Sequence, residues 1–206
     1  ERDEITFHPA RFKDIFLAWM ESIRDWNISR QLWWGHRVPA FYTEDGEMFV
    51  ALTWEEAQAE AGDKKIVRQD TDVLDTWFSS GMWPFVTLGW PNETEDMKAF
   101  YPTNVLITDR NIINLWVARM LMMGYDLVGE KPFSDVMIYA TVLREDGRRM
   151  SKSLGTGIDP MEVINTLGAD ALRWTLLSQT GENQDLRYSD KKTEEARNFC
   201  NKIWNA

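Results

Sequence analysis

Cysteine and histidine are scarce in this 206-residue sequence, which contains one cysteine, Cys200, and two histidines, His8 and His36. A lone thiol excludes a disulfide within the chain and a cysteine-based zinc site, so we expect no zinc and a reducing, cytoplasmic setting. No apolar run is long enough to span a bilayer and no secretory leader is visible, so no membrane partner is expected.

Basic residues are outnumbered, 23 against 33 acidic residues, for a formal net charge of -10. This balance argues against a nucleic-acid surface spread over the whole chain, because phosphate contacts need clustered Lys and Arg. Local basic sites remain, the densest formed by Arg144, Arg148, Arg149 and Lys152. Tryptophan is abundant, with 11 residues, and such rings fill cores or line apolar and base-stacking pockets.

The first half of the chain shows separate helical and hairpin patterns. Apolar residues at helical spacing predict a helix over 10–23, and an aromatic, basic segment follows over 24–38. Within about 40–70 we expect a small insertion, with a hairpin around an Asp-Gly turn and a helix over 54–61. Thr53 and Glu56 predict a capping box at the start of that helix.

Two buried strands, 104–108 and 136–142, flank a long predicted helix over 111–124. One face of that helix is expected to carry Ile112, Leu115, Trp116, Arg119, Met120 and Met123. This βαβ pattern indicates a parallel sheet. The glycine-rich turn of a complete nucleotide-binding fold is absent, so the fold class predicted is α/β, the second half of a doubly wound parallel (Rossmann-like) sheet.

A helical region follows the second strand. Helices are predicted to start at Asp159-Pro160, at Ala169-Asp170 and at Asp190. The sequence therefore predicts a Rossmann-like half over 1–155 and a helical region over 156–206. The missing half of the sheet is expected as an intramolecular partner, and without it we expect association or low stability, because an edge and an apolar face would be exposed.

The segment 148–155 has the composition of a polyphosphate clamp, with cations, two hydroxyls and a glycine. Cations at this point would stabilise charge that develops on a leaving pyrophosphate. An ordinary basic surface turn would have the same composition, so composition alone leaves both interpretations open.

Met150-Ser151-Lys152-Ser153, followed by Gly155 and Ile158-Asp159-Pro160, resembles the KMSKS loop of the class I aminoacyl-tRNA synthetases, with Arg149 at the position of the first lysine. Further segments resemble motifs of that family in the same order: Ile28–His36, Asp72–Ser80, Trp116–Met120, Gly168–Arg173 and Gln184–Arg187. The paired tryptophans and His36 favour valine-specific members, with isoleucine- or leucine-specific members as the alternative. Residues 156–206 would then form a stem-contact region leading toward an anticodon-binding domain.

The resemblance implies an ATP site formed by Arg149, Met150, Ser151, Lys152 and Ser153. In it, Arg149 and Lys152 would act in catalysis by holding pyrophosphate, with Mg²⁺ bridging the phosphates.

The turn after the first buried strand would contact adenosine through Asp109 and Asn111, where family members commonly have a glycine and an aspartate. Capping of the following helix by Asp109 is the alternative.

The resemblance also places an amino-acid pocket at Trp77, Ile112 and Trp116. Two tryptophans and an isoleucine at this spacing are otherwise typical of plain core. His36 and Arg30 would contact the tRNA acceptor end or a phosphate, although a lone histidine is more often a structural hydrogen-bonding residue.

The function implied is ATP-dependent activation of valine to its adenylate and transfer to tRNA(Val). The chain contains neither the family's HIGH motif nor its editing domain, so we expect it to be inactive alone. A non-catalytic paralogue that binds nucleotide, tRNA or a partner protein is a further alternative, which the residues at 109 and 111 favour.

Overall fold

The computed structural model describes residues 4–151, 153–181 and 185–206. Its strands are β1 (Thr6–His8), β2 (Ser29–Arg30), β3 (Ala40–Thr43), β4 (Met48–Val50), β5 (Ile66–Gln69), β6 (Val73–Leu74), β7 (Thr103–Thr108), β8 (Phe133–Ile138), β9 (Val142–Leu143) and β10 (Leu186–Arg187). Its α-helices are α1 (Arg11–Glu21), α2 (Trp54–Ala61), α3 (Thr76–Gly81), α4 (Trp83–Val86), α5 (Glu95–Phe100), α6 (Ala118–Met123), α7 (Pro160–Leu167), α8 (Ala169–Ser178) and α9 (Asp190–Asn205).

The described residues divide into two compact units. Unit 1 comprises Asp14–Asn104 and Asn111–Ser134 with Glu4, and unit 2 comprises Ile5–Lys13, Val105–Arg110 and Asp135–Ala206.

Unit 1 contains the expected hairpin, with β3 and β4 antiparallel. A third strand, β5, pairs with the other edge of β3. The capping box of α2 is confirmed: the Thr53 hydroxyl accepts from the Glu56 amide, and the Glu56 carboxylate accepts from the Thr53 amide. A small core of Phe41, Ala57, Ala61 and Ile66 joins the helix to the sheet. Residues 40–70 therefore carry their own hydrophobic cluster.

The prediction of one continuous α-helix over 111–124 is wrong, because the helical segment is interrupted by turns of other types. A 3₁₀ turn (Arg110–Ile112) and a π-helix (Ile113–Val117) precede α6, and a second π-helix (Gly124–Val128) follows it. The buried face carries Ile113, Val117, Ala118, Met120 and Leu121, whereas Leu115 is exposed. Each wider turn shifts the side chains around the axis, so a 3.6-residue period misassigns the face.

Most of a three-stranded sheet in the order β1-β8-β7 belongs to unit 2, while the first two residues of β7 and of β8 are counted in unit 1. β1 and β8 are parallel. The Thr103 amide donates to the Pro132 carbonyl at one end of the β7–β8 pair, and the Tyr139 amide donates to the Thr108 carbonyl at the other. The bonded residues increase in number in the same direction along both strands, so β7 and β8 are also parallel. The predicted parallel α/β arrangement is confirmed.

The strand predicted over 136–142 is wrong in its bounds, because β8 ends at Ile138 and a separate short strand, β9, pairs in parallel with β10. The helix starts are confirmed: Asp159 caps α7 through its side chain, α8 begins at Ala169, and α9 begins at Asp190. Val163, Leu172 and Tyr188 form the core of this helical part.

Candidate functional site

Arg30 and His36, the predicted phosphate contacts, lie in unit 1 within the segment 24–38. The Arg30 guanidinium pairs with the buried carboxylate of Asp75 at 2.5 Å. Its other terminal nitrogen donates to the carbonyls of Asn27 and Ser29 at 2.6 and 2.7 Å. His36 is exposed. These bonds give Arg30 a role inside the fold, and a phosphate contact by either residue stays a prediction.

The three predicted pocket residues all lie in unit 1. Trp77 is the second residue of α3, and Trp116 donates from its indole nitrogen to the carbonyl of Ser80 in the same helix at 2.9 Å. Ile112 ends the 3₁₀ turn that precedes the π-helix of Trp116. The structure thus attaches Trp116 to the helix that carries Trp77, and all three side chains are half-buried.

A cavity of about 760 Å³ also opens in unit 1, and its lining does not include Trp77, Ile112 or Trp116. Its walls include Trp19, Ile23, Trp26, Arg30, Arg119 and Met122. The Arg119 guanidinium lies 4.1 Å from the centroid of the Trp26 ring. Burial lowers the pKa of Arg119, while the negative charge of Asp75 opposes that shift. The sequence did not predict that Trp26 and Arg119 line a cavity. In the sequence they look like ordinary residues of a loop and of a helix.

The loop predicted to hold polyphosphate lies in unit 2 and starts from a tight turn. The Arg144 amide donates to the Arg148 carbonyl at 2.9 Å, with Gly147 at a φ of 84° between them. The Arg148 side chain and amide donate to the Asp146 carboxylate, and these bonds lower the pKa of Asp146. The backbone of Arg149 then forms an isolated antiparallel β-bridge with Leu143 in β9. The base of the loop is therefore an ordered turn anchored on a strand.

Beyond the turn, hydroxyl groups organise the loop. The Ser151 amide donates to the Thr156 hydroxyl at 2.9 Å, and the Ser151 and Ser153 hydroxyls lie 3.0 Å apart. Met150 packs against the cluster formed by Val163, Leu172 and Tyr188. Lys152, the predicted catalytic lysine, lies outside the described residues.

Asp109, predicted to lie near adenosine, follows β7 in unit 2 and accepts a hydrogen bond from the Thr141 hydroxyl at 3.1 Å. Its neighbour Arg110 pairs with Asp185 at 2.7 Å. Asp185 also accepts from the Thr141 amide at 3.3 Å, so it links two loops of this unit. Asn111 is exposed and belongs to unit 1. The sequence had not assigned a role to Asp185.

Across 4–151, 153–181 and 185–206, no three His, Cys, Asp or Glu side chains are grouped in a way that would hold a metal ion. None of the helices in that part of the chain has the length and apolar character needed to cross a membrane.

Several curated relatives of the chain are valine–tRNA ligases. The enzyme of Staphylococcus carnosus (strain TM300) is 55% identical over 206 residues, covering 99% of this chain and 23% of the relative. The enzyme of Bacillus subtilis (strain 168) is 53% identical over 208 residues, covering 100% of this chain and 23% of the relative. The chain thus spans about a quarter of the length of these relatives.

Solved structures share the fold at lower identity. The leucyl-tRNA synthetase of Agrobacterium radiobacter K84, in a ternary complex with tRNA and LeuAMS, superimposes with a TM-score of 0.70 at 20% identity, over 95% of this chain and 31% of that one. The methionyl-tRNA synthetase of Mycobacterium tuberculosis, in complex with methionyl-adenylate, gives 0.67 at 20% identity, over 95% and 33%. The α/β fold of this chain is therefore the Rossmann-like fold of such catalytic domains.

A family model described as tRNA synthetases class I (I, L, M and V) matches residues 1–189. It takes in the predicted pocket residues, the Arg149–Ser153 loop and the Asp109–Asn111 turn. The chain belongs to the class I tRNA synthetases.

Proposed function

We propose that this chain forms part of the catalytic domain of a valine–tRNA ligase, which activates valine with ATP and transfers it to tRNA(Val). The observation that carries the proposal is the identity of 53–55% to valine–tRNA ligases along essentially the whole chain. In the first step a carboxylate oxygen of valine attacks the α-phosphorus of ATP, and the bond to the leaving pyrophosphate breaks. In the second step a ribose hydroxyl of the terminal adenosine of tRNA attacks the acyl carbon, and AMP leaves.

Trp77, Ile112 and Trp116 would bound the valine side chain. Rigid aromatic walls suit a small branched group, since rings lose little conformational entropy on ordering. Such a pocket distinguishes one methylene by only about 1–3 kcal/mol and rejects threonine poorly, since threonine is isosteric with valine. The attachment of Trp116 to α3 through Ser80 supports a common wall.

Arg149 and Lys152 would stabilise the pyrophosphate as negative charge develops on it. Ser151, Ser153 and the Met150 backbone would line the same phosphates, and Asp109 and Asn111 would contact the adenosine. The polar side chains of the described loop are cationic or carry hydroxyl groups. Mg²⁺ would therefore be bound mainly by phosphate oxygens, as in sites where it has few protein ligands. When bound there, Mg²⁺ neutralises phosphate charge.

Catalysis in this scheme is positioning plus electrostatic stabilisation, without a covalent enzyme intermediate. His36 would meet the acceptor end of tRNA, and residues 156–206 would contact its stem. Both roles rest on the family resemblance, and the exposure of His36 supports the first of them.

The test is a chimera in which this chain replaces the matching segment of the Bacillus subtilis relative. ATP–pyrophosphate exchange that depends on valine, and exceeds exchange with isoleucine, leucine or threonine, is the expected result. Exchange stimulated best by isoleucine or leucine would reassign the substrate. A folded chimera that binds ATP but exchanges with none of the four would favour the non-catalytic alternative.

The loop has its own test in the same chimera. Arg149→Ala is expected to slow valine-dependent exchange by about 10²-fold, since it removes a charge from the developing pyrophosphate. Arg68→Ala, which removes an exposed arginine of β5, is the matched control and is expected to leave exchange unchanged. Equal effects of the two substitutions would contradict the role of the loop.

A further inference from the structure

Asp75 is a buried carboxylate that the sequence places in a motif but to which it assigns no function. Only 6% of the residue is exposed. One carboxylate oxygen accepts from the Trp77 amide at 3.1 Å, and the other accepts from the Trp26 indole at 2.9 Å and from Arg30 at 2.5 Å. Its own amide donates to the carbonyl of Ile28 at 2.7 Å. Asp75 therefore joins the segment 24–38 to the start of α3.

A carboxylate buried in this way is costly to disturb. Removing one partner leaves a buried charge or donor without compensation, which is far less favourable than the intact set. The Arg119 guanidinium over the Trp26 ring adds a second positive charge nearby. The cluster of Asp75, Trp26, Arg30 and Arg119 is thus a polar unit in which each member restrains the others.

The helix that Asp75 caps is only six residues long. Isolated helices of this length have little stability of their own, so their position is set by their ends and by packing. At the first end Asp75 holds the amide of Trp77. At the other, Trp116 donates to the carbonyl of Ser80, and Gly81 lies so close to α6 that an added Cβ would be 2.7 Å from the Met123 sulfur.

We infer that Asp75 is a positioning residue for amino-acid selectivity: by anchoring α3 to the segment 24–38, it sets the place of Trp77. This rests on the proposed function, in which the rings of Trp77 and Trp116 bound the valine side chain. Asp75 itself touches neither ATP nor the reacting atoms in this scheme. Its effect is on the width of the pocket, not on the chemical step.

The expected consequence is a change in discrimination. A rigid pocket separates substrates that differ by one methylene by about 10–200-fold. If α3 is released at its first turn, the Trp77 wall gains freedom and the pocket admits larger side chains while binding valine less well. The ratio of kcat/KM for isoleucine to that for valine then rises, and KM for ATP stays where it was.

Asp75→Asn tests this in the chimera with the Bacillus subtilis relative. The amide keeps the size of the carboxylate, but its nitrogen must face either the Trp77 amide or the two donors of Trp26 and Arg30. We expect KM for valine to rise on the order of tenfold and the isoleucine-to-valine ratio to rise by a similar factor. Asp70→Asn is the matched control, since Asp70 also accepts from a backbone amide and a side chain, those of Asp72 and Tyr42, but has no bond to α3. It is expected to leave both quantities unchanged.

Trp26→Phe is the second variant and removes a single donor to Asp75 while keeping an aromatic ring. It is expected to raise KM for valine and the isoleucine-to-valine ratio of kcat/KM, both by a smaller factor than Asp75→Asn. In the double variant, the additional effect of Trp26→Phe is expected to be smaller than its effect alone. If the Asp75→Asn variant does not fold, the same two measurements on Trp26→Phe test the inference.

Two results would overturn the inference. One is a ratio of kcat/KM for isoleucine to that for valine that, in folded variants, stays within about twofold of its value in the unsubstituted chimera. Such a change is much smaller than the selectivity associated with one methylene. The other is a fall in kcat for every amino acid with KM unchanged, which is the behaviour of a purely structural defect that lowers the active fraction. Failure of the proposed function is separate, because it shows as absence of valine-dependent exchange in the unsubstituted chimera.

Discussion

The guanidinium of Arg119 lies over the indole of Trp26, with its carbon 4.1 Å from the ring centroid. The same arginine donates to the carbonyls of Asn114 and Leu115 at 2.9 and 2.8 Å. These carbonyls belong to the π-helix, where the regular hydrogen-bond ladder is interrupted. One buried side chain thus supports both the irregular helix and the segment 24–38.

Replacing Arg119 by methionine keeps the volume of the side chain but removes its donors and its charge. We expect the free energy of unfolding to fall by about 1–3 kcal/mol, from the loss of the cation–π contact and of two side-chain hydrogen bonds to backbone carbonyls. Urea denaturation followed by tryptophan fluorescence measures it. Arg37→Met is the control, because the exposed Arg37 also donates to backbone carbonyls. Equal losses for the two variants would contradict the prediction.

Gly81 allows α3 and α6 to approach closely. A Cβ at this position would lie 2.7 Å from the Met123 sulfur and 3.2 Å from the Arg119 Cβ. We expect Gly81→Ala to lower the free energy of unfolding by about 1–3 kcal/mol through overpacking. The double variant with Met123→Ala should recover part of that loss.

Gly157→Ala is the matched glycine control, since a Cβ added at Gly157 would have no atom within 4 Å beyond its chain neighbours. It is expected to change stability by no more than about 1 kcal/mol in either direction. A Gly81→Ala variant as stable as Gly157→Ala would show that the close approach is not required.

Glu55 and Glu56 share the first turn of α2 but differ in their contacts. The Glu56 carboxylate accepts from the amides of Leu52 and Thr53 at 3.0 and 3.3 Å. Both substitutions to alanine remove one negative charge near the helix N-terminus. We expect Glu56→Ala to cost about 0.5–2 kcal/mol and Glu55→Ala clearly less, measured by denaturation. The reverse order would rule out the capping box as the stabilising contact.

Asp146 titrates in the turn that precedes Arg149. Hydrogen bonds from Arg148 lower its pKa below the ordinary value. A lowered folded-state pKa means that this carboxylate stabilises the turn above its unfolded pKa of about 3.9, and that the contribution disappears as the pH falls through the folded value.

The Asp146 carboxyl is expected to titrate nearer its ordinary pKa in Arg148→Met, as followed by NMR. Asp45, whose pKa of about 2 is set first by the Thr43 hydroxyl and then by Lys64, serves as the internal control and should not move. A midpoint for Asp146 that is the same with and without Arg148 would contradict this account.

Much of the local structure was predictable from neighbouring residues. The capping box at Thr53, the side-chain cap at Asp159 and the start of α9 at Asp190 rest on contacts within one turn, so the sequence pattern carries them. The parallel pairing of β7 and β8 followed from two apolar runs with a helical crossover. The bounds of β8 and the π-helix of Trp116 did not follow from local periodicity. Trp116, for example, is bonded to Ser80, which lies 36 residues away along the chain.

The sequence by itself determined the order of elements and the family, since motif order and local periodicity survive without knowledge of contacts. Only the tertiary structure decided what Asp75 does, because its partners Trp26 and Arg30 lie 49 and 45 residues away along the chain. It likewise showed that Arg30 pairs within the fold and that Arg119 is buried. A carboxylate in a motif can be exposed or enclosed, and burial, which fixes whether its charge must be paired, arises only when distant segments pack together.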